Sequence, residues 1–414
     1  MNKEEMFSEN MSYREYKSPK RQRRERKERN NSSVILSPPD KTLMVVVAFL
    51  VIIGFLAIFS ATAPKCLREG ANLATFLIKQ MIYAGVGFMA MGFFAHFDYK
   101  KLERYNKNFM WTVIVLLFIL QFTPLGVTIN GAKRWINLGF MQLQPSELAK
   151  PLFCMLIATM FKDKIDLNTV LKNMTSTIIP MAVILLLILK QPNLSMAIIL
   201  CMTTLVLYIA GRGPWLPIYT GTGIMGLGIL TMLPKLLHGY QMDRITVWLN
   251  PGSDALGKGY NIIQSLIAFA SGGLSGAGYG GSIQKLAYLP ECHTDFIFAI
   301  IAEEFGFLGC FFIIGLFVAL VHRGLRISKR CPDMYGKLLA IGITFIFGFQ
   351  AFLNMSVASS LLPVTGVTLP FISYGGTSII VSLAMVGILL NISKQDCLYS
   401  GLLDIFQIQP LVRF

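Results

Sequence analysis

Charge is scarce in this sequence. Only 14% of its 414 residues are Asp, Glu, Lys or Arg, against roughly 25% in ordinary soluble domains. With 54% hydrophobic residues and a mean hydropathy of +0.58, the chain has too little polar surface to clothe a water-soluble body. Histidine is rarer still, with four in all, and none accompanies a GxSxG. There is no HExxH and no Walker A sequence, so the common metalloprotease and nucleotide-triphosphatase signatures are missing. The seven cysteines form no CxxC and show no metal-ligand spacing, which leaves no zinc or redox motif. Most of them sit in apolar runs, where cysteine behaves as a small hydrophobe. Cys66 and Cys292 stand in connections, and nothing in the sequence specifies that they pair. The Gly-rich run Gly276 to Gly281 neither follows a strand nor opens a Rossmann unit.

What remains is apolar sequence in long continuous blocks, such as Leu43 to Leu50. Each block is near the roughly 20 residues that cross a hydrocarbon core. In lipid the backbone must satisfy its own hydrogen bonds, so the choice is helices or a closed barrel. A barrel alternates polarity over ~10-residue segments, and these blocks do not alternate. The pattern predicts an all-α polytopic integral membrane protein with about ten spans. They fall near 43–63, 75–96, 108–126, 145–161, 174–190, 193–211, 214–236, 294–321, 336–356 and 372–392.

The net charge of +15 would suggest nucleic acid in a soluble protein. Here it lies in a tail and in alternate connections, so it speaks of topology and not of nucleic acid. Residues 1–40 carry the run Lys20 to Arg29 and few large hydrophobes, a composition that cannot bury a core. That tail sets topology, or touches anionic lipid or a cytoplasmic partner. Further basic groups stand at Lys100, Lys101, Arg104 and Lys107, at Lys162, Lys164 and Lys172, at Arg212, at Arg323 to Lys337, and at Lys394. Lys and Arg mark the cytoplasmic side. Both termini are therefore expected inside, with the membrane domain at 41–395 and a cytoplasmic tail at 396–414.

The connection at 237–293 is the one long outer loop, and a loop of that length is usually functional. It ends in Leu289-Pro290-Glu291-Cys292-His293-Thr294-Asp295, followed within the next span by Glu303 and Glu304. Asp295 stands where a hydrophilic substrate and a lipid could both reach it. By position it is either a functional acid or an early-turn acid facing a helix N-terminus. The third connection carries Arg134 beside Trp135, an interface anchor or a grip for a diphosphate. Glu147 and Lys150 are three apart and share a helix face. Lys150 is a snorkelling cation with its partner, or a cation facing a polar cavity. The last outer connection, Leu362 to Ser378, is rich in Pro and Gly yet uncharged.

At these residues the chain resembles the SEDS family, the FtsW, RodA and SpoVE group. The blocks that carry the resemblance are Gly131–Ile136 with Gln144–Lys150, Arg244 to Gly281, Leu289–Gly306 and Leu362–Ser378, in the family's order across about residues 40–395. Gln284 to Glu291 and Val367 to Pro370 are similar to the FtsW and SpoVE branch. The chain departs from the family at Asn193, where an aspartate is usual, and more mildly at Ser360 and Thr377.

The resemblance implies a peptidoglycan glycosyltransferase that polymerises lipid II, the undecaprenyl-diphosphate-linked disaccharide pentapeptide, for septal wall or spore cortex. Asp295 is the family-matching general base. Arg134, Lys150 and Arg244 are the candidates for the diphosphate, with Glu147, Gln264 and Ser265 as further substrate-binding candidates. No residue set marks a metal site, although a diphosphate substrate admits a divalent cation, Mg or Mn. The implied partners are a class B penicillin-binding protein and other division-complex membrane proteins, in the bacterial inner membrane at the septum. Two rival functions fit a polytopic chain. One is a lipid II flippase or other transporter, which should carry polar groups at mid-membrane; the other is a division scaffold without catalysis.

The charge pattern places the 237–293 loop outside. A cysteine introduced as Ser253→Cys should react with a membrane-impermeant thiol reagent in intact cells. Labelling only after permeabilisation would reverse the topology.

Overall fold

The computed structural model describes residues 38–395 apart from 130, 138, 140, 163–173, 215–239 and 258. Each expected span within those residues coincides with a helix: α1 Lys41–Arg68, α2 Thr75–His96, α3 Tyr99–Phe122, α4 Pro145–Met160, α5 Ile179–Lys190, α6 Leu194–Ala210, α9 Ile297–Arg330, α10 Met334–Ala358 and α11 Gly376–Ser393. The expected span at 214–236 lies outside the described residues, as do the tails at 1–40 and 396–414 but for residues 38–40. Six of these helices are long and apolar enough to cross a membrane (α1, α2, α3, α9, α10 and α11), and α6 is a shorter apolar helix. Large apolar side chains such as Phe49, Ile52, Met89, Trp111, Phe311 and Val318 stand exposed along them, the surface a lipid solvent requires.

Local chemistry explains where the helices begin. Asp40 accepts from Leu43 N at 2.9 Å and caps α1. The same carboxylate takes Arg323 Nη2 at 2.6 Å, which ties α1 to the far end of α9. Asp98 accepts from Lys100 N at 3.0 Å. That cap starts α3 at Tyr99, nine residues before the first apolar block led us to expect.

Between α3 and α4 the all-helical expectation gives way to a small antiparallel sheet of order β1-β2-β3. Its strands are Gly126–Ile129, Ala132–Asn137 and Gln142–Leu143. The β-branched run Val127-Thr128-Ile129 and the Asn-Gly dipeptide at 130–131 are a hairpin signature, one that hydropathy alone overlooks. The long connection after residue 239 contains α7 Tyr240–Leu249, a 3₁₀ turn Pro251–Asp254 and α8 Tyr260–Gly272.

α2 and α11 pack along each other. A Cβ at Gly387 would fall 2.4 Å from the Met91 carbonyl oxygen, so glycine permits the close approach common between helices in lipid. α9 is broken once, at Gly306, where φ is 62°. The Gly-dense segment after α8 closes the break. Phe307 N donates to Gly273 O at 2.9 Å and Leu308 N to Leu274 O at 3.2 Å, while Ala277 N and Gly278 N donate to Glu303 O and Glu304 O at 2.9 and 3.0 Å.

The two acids just before the break bracket the same segment. Glu303 accepts from Ser282 Oγ and from Ile283 N at 3.0 Å. Glu304 pairs with Lys285 Nζ at 2.6 Å, and Ser60 Oγ of α1 donates to it at 2.5 Å. Lys285 and Glu304 are 7% and 1% exposed, so each relies on the other and on Ser60, whose Oγ accepts from Lys285 Nζ at 2.8 Å, in place of water. Cys66 and Cys292 are both free thiols.

Removing one charge of a buried pair strands the other, at about 3–5 kcal/mol. Lys285→Met should therefore lower the thermal midpoint of the purified protein well below wild type, and Lys285→Met with Glu304→Leu should regain most of the loss. A single variant as stable as wild type would show that this pair does not hold the loop.

Candidate functional site

The site lies at the end of the bundle where α4, α6 and α9 begin and α1 and α10 finish. Asp295 stands two residues before α9, half-buried. Its backbone is fixed at three consecutive carbonyls. Tyr374 N donates to His293 O at 2.9 Å, Ser373 Oγ to Thr294 O at 2.6 Å, and Asn354 Nδ2 to Asp295 O at 2.9 Å.

Strand β2 delivers Arg134. Its Nε donates to Gln191 O at 3.3 Å and its Nη2 to Pro192 O, which fastens the sheet to the turn between α5 and α6. Arg134 and Asp295 meet at Gly366. A Cβ at that position would lie 3.5 Å from Asp295 Oδ2 and 3.9 Å from Arg134 Nη1. Arg244 on α7 approaches from the other side, and its Nη1 donates to Val364 O at 2.8 Å. One carboxylate and two guanidiniums thus share the corner formed by residues 364–367.

Burial raises the Asp295 carboxyl to about 6, with the Glu291 charge pushing the same way and the Arg134 and Arg244 charges pulling back. Its ordinary value would be near 3.9. Beside it, His293, Phe76 and Tyr374 form an aromatic cluster with ring centroids 5.3 to 5.7 Å apart. Burial lowers the His293 imidazole, the Glu291 charge opposing and the Lys65 charge adding.

The remaining candidates are placed differently. Lys150 is fully buried. Its ammonium donates to Glu147 Oε2 at 2.6 Å and to Gln350 Oε1 at 2.8 Å. Of the two readings open for Lys150, the geometry favours the paired one: a strut inside the bundle rather than a cation presented to a diphosphate. Ser265 is buried on α8 and donates to Ala358 O at 2.5 Å, clamping α8 to the end of α10. Gln264 is half-buried on the same helix. Asn193 caps α6, accepting from Met196 N at 3.4 Å.

Hydropathy reasoning missed Asn354, Gln350 and Lys285. A signal was present for the first two: carboxamides four residues apart in an otherwise apolar span, where polar groups default to internal pairs or sites. Among the described residues no group of three or more His, Cys, Asp and Glu could hold a metal ion. Chemically, the corner offers one proton acceptor raised toward neutrality and two fixed cations for a developing anion.

The family model of the FtsW, RodA and SpoVE cell cycle proteins matches residues 40–397. The chain is 37% identical over 363 residues to a probable peptidoglycan glycosyltransferase FtsW of Trichlorobacter lovleyi, covering 86% of this chain and 94% of that one. It is 38% identical to the stage V sporulation protein E of Bacillus subtilis, covering 86% and 97%. Among solved structures, a chain of a peptidoglycan synthase complex that coordinates polymerization and crosslinking superposes with a TM-score of 0.71 at 28% identity, over 87% of this chain and 99% of that one. The rod shape determining protein RodA of Thermus thermophilus superposes with a TM-score of 0.63 at 25% identity, over 87% and 98%.

A carboxyl raised to about 6 in the folded protein gives a signed stability effect. The folded state favours the protonated acid, so this contribution is present below about pH 4 and lost as pH rises through about 6. Asp295→Asn should melt higher than wild type at pH 8, and the two curves should converge as pH falls through about 6 toward about 4. A difference that stays constant with pH, or has the opposite sign, would contradict the site's electrostatics.

Proposed function

The chain belongs to the FtsW, RodA and SpoVE family of cell cycle proteins, and from that premise we propose that it is a peptidoglycan glycosyltransferase that polymerises lipid II. The observation that carries the reading is the meeting of Asp295 and Arg134 at Gly366, with Arg244 on the same connection.

The acceptor's 4-hydroxyl attacks the anomeric carbon of the donor sugar, and its proton passes to the Asp295 carboxylate. The bond from that carbon to the diphosphate oxygen breaks, with inversion, and the lipid diphosphate departs with the electron pair. Diphosphate is a good leaving group, so it needs cationic neutralisation rather than an acid. Arg134 and Arg244 supply it. Lys150 and Glu147 support the site from within, and Ser265 holds α8 in place; Gln264 remains the candidate on α8 for a sugar contact. Glu303 cannot be a paired acid, because Ser282 and the amides of Ile283 and Gln284 occupy its carboxylate.

The transporter reading finds one point of contact, the broken helix α9, since transporters place substrate at such breaks. Here the freed backbone groups are closed by residues 273–278, which argues for a sealed joint rather than a transport site. A scaffold would leave the raised carboxyl of Asp295 without a use.

In this reading the catalytic corner lies on the outer face of the bacterial inner membrane, with both termini cytoplasmic and the protein at the division septum. Polymerisation yields uncrosslinked strands. A single-span class B penicillin-binding protein is the natural partner, as polymerization and crosslinking are joined in the complex that holds the structural relative. Other division-complex membrane proteins complete the assembly.

Purified protein given lipid II should form glycan polymer. Activity should fall as pH drops through about 6, where the base takes up its proton. Asp295→Asn should lose about 10²–10⁴-fold in turnover while inserting and folding normally. Near-wild-type turnover by well-folded Asp295→Asn would remove Asp295 as the base.

A further inference from the structure

α10 carries two carboxamides one helical turn apart, Gln350 and Asn354, 2% and 1% exposed. Neither belongs to the chemistry above, and both grip backbone at the catalytic corner. Gln350 Nε2 donates to Thr368 O at 2.9 Å, and its own oxygen accepts from Lys150 at 2.8 Å. Asn354 Nδ2 donates twice, to Asp295 O at 2.9 Å and to Val367 O at 2.6 Å. Val367 follows Gly366, the residue against which Asp295 and Arg134 meet. The Asn354 Oδ1 atom is buried without a hydrogen-bond partner.

A half-satisfied buried amide is a poor choice for stability, because the orphan oxygen has given up its water. Leucine has nearly the same size and suits an apolar helix better. The two donated bonds give the asparagine its use. They join the peptide that bears the base to the connection that forms the opposite wall. Asp295 precedes α9, so the helical hydrogen-bond ladder does not fix its position.

We propose that Asn354 is a positioning residue for the transferase reaction: it sets the reach of the Asp295 carboxylate by bonding Asp295 O and Val367 O at once. Gln350, held by Lys150 and Glu147, anchors the same connection one turn deeper. This inference rests on the reading of Asp295 as general base. Misplacing a catalytic group by about 1 Å lowers the rate about 10²-fold with little effect on substrate capture.

The test compares Asn354→Leu with wild type on lipid II, with rates normalised to folded, monodisperse protein. Turnover should fall about 30- to 100-fold while KM changes less than about threefold. In an Asp295→Asn background, adding Asn354→Leu should reduce the remaining rate by less than about twofold, because the two residues act as one unit. Asn391→Leu is the structural control. Asn391 is also buried and donates to Ala95 O at 3.0 Å, remote from the site, so its loss should reduce the yield of folded protein and not turnover per folded molecule. Should Asn354→Leu fail to fold, Asn354→Ser keeps one donor and should lose about 5- to 20-fold, again without a matching rise in KM. Wild-type turnover in either variant, or a full multiplicative loss on top of Asp295→Asn, would overturn the proposal. If Asp295→Asn is inactive and Asn354→Leu is active, only the positioning role falls. An active Asp295→Asn would remove the general base itself.

Discussion

Hydrocarbon offers no hydrogen bonds, so a polar group inside this bundle is costly unless another polar group of the protein meets it. The arrangement of the interior follows from that constraint. Glu304 is tolerable beside Gly306 because Lys285 and Ser60 reach it. Lys150 is tolerable because Glu147 and Gln350 absorb its charge and its donors. The break in α9 is tolerable because the Gly-dense segment after α8 supplies backbone partners in register. Each solution joins elements distant in sequence, so satisfying the polar groups also fixes how the helices stand around the site.

Against that background Asp295 is the exception that matters. Its backbone is held at three consecutive carbonyls, yet the half-buried residue shares the Gly366 corner with the Arg134 and Arg244 guanidiniums. Burial and Glu291 lift it to about 6, and Arg134 and Arg244 stop it rising further. A base works best when its pKa is near the working pH. If the arginines pulled harder, the carboxylate would be ionised but weakly basic; without them it would stand higher still. On the proposed mechanism the same guanidiniums would neutralise the departing diphosphate, so one pair of charges would serve both ends of the reaction.

Much of this was legible in the sequence, for physical reasons. Apolar blocks of membrane length can only be helices, and α1, α2, α10 and α11 fall where hydropathy puts them. By position Asp295 and Arg134 each admitted a functional and a structural reading; the family resemblance singled out both, and Arg244 with them. Three features did not come through. α3 starts early because Asp98 caps it, and its first turns carry Lys100, Lys101 and Arg104, which a hydropathy window rejects. The hairpin around Arg134 is short and marked by Asn-Gly and β-branched residues rather than by apolarity. The role of Lys150 depends on Gln350, 200 residues away; no local pattern distinguishes a cation awaiting phosphate from one already spent on a carboxylate and an amide.

The departure at Asn193 can be understood in the same terms. The family resemblance leads one to expect an aspartate there, which would bring a negative charge close to the turn that Arg134 grips. The asparagine still performs the helix-capping part of the role, accepting from Met196 N, and its Nδ2 lies 3.5 Å from Ser146 Oγ. A neutral cap of this kind is about as good as a charged one. What changes is the field at the corner. With no carboxylate at 193, beside the turn that Arg134 grips, less of that guanidinium's positive potential is cancelled. The substitution removes a charge without removing a hydrogen bond, so it is a change that the fold can absorb and that the electrostatics of the site register.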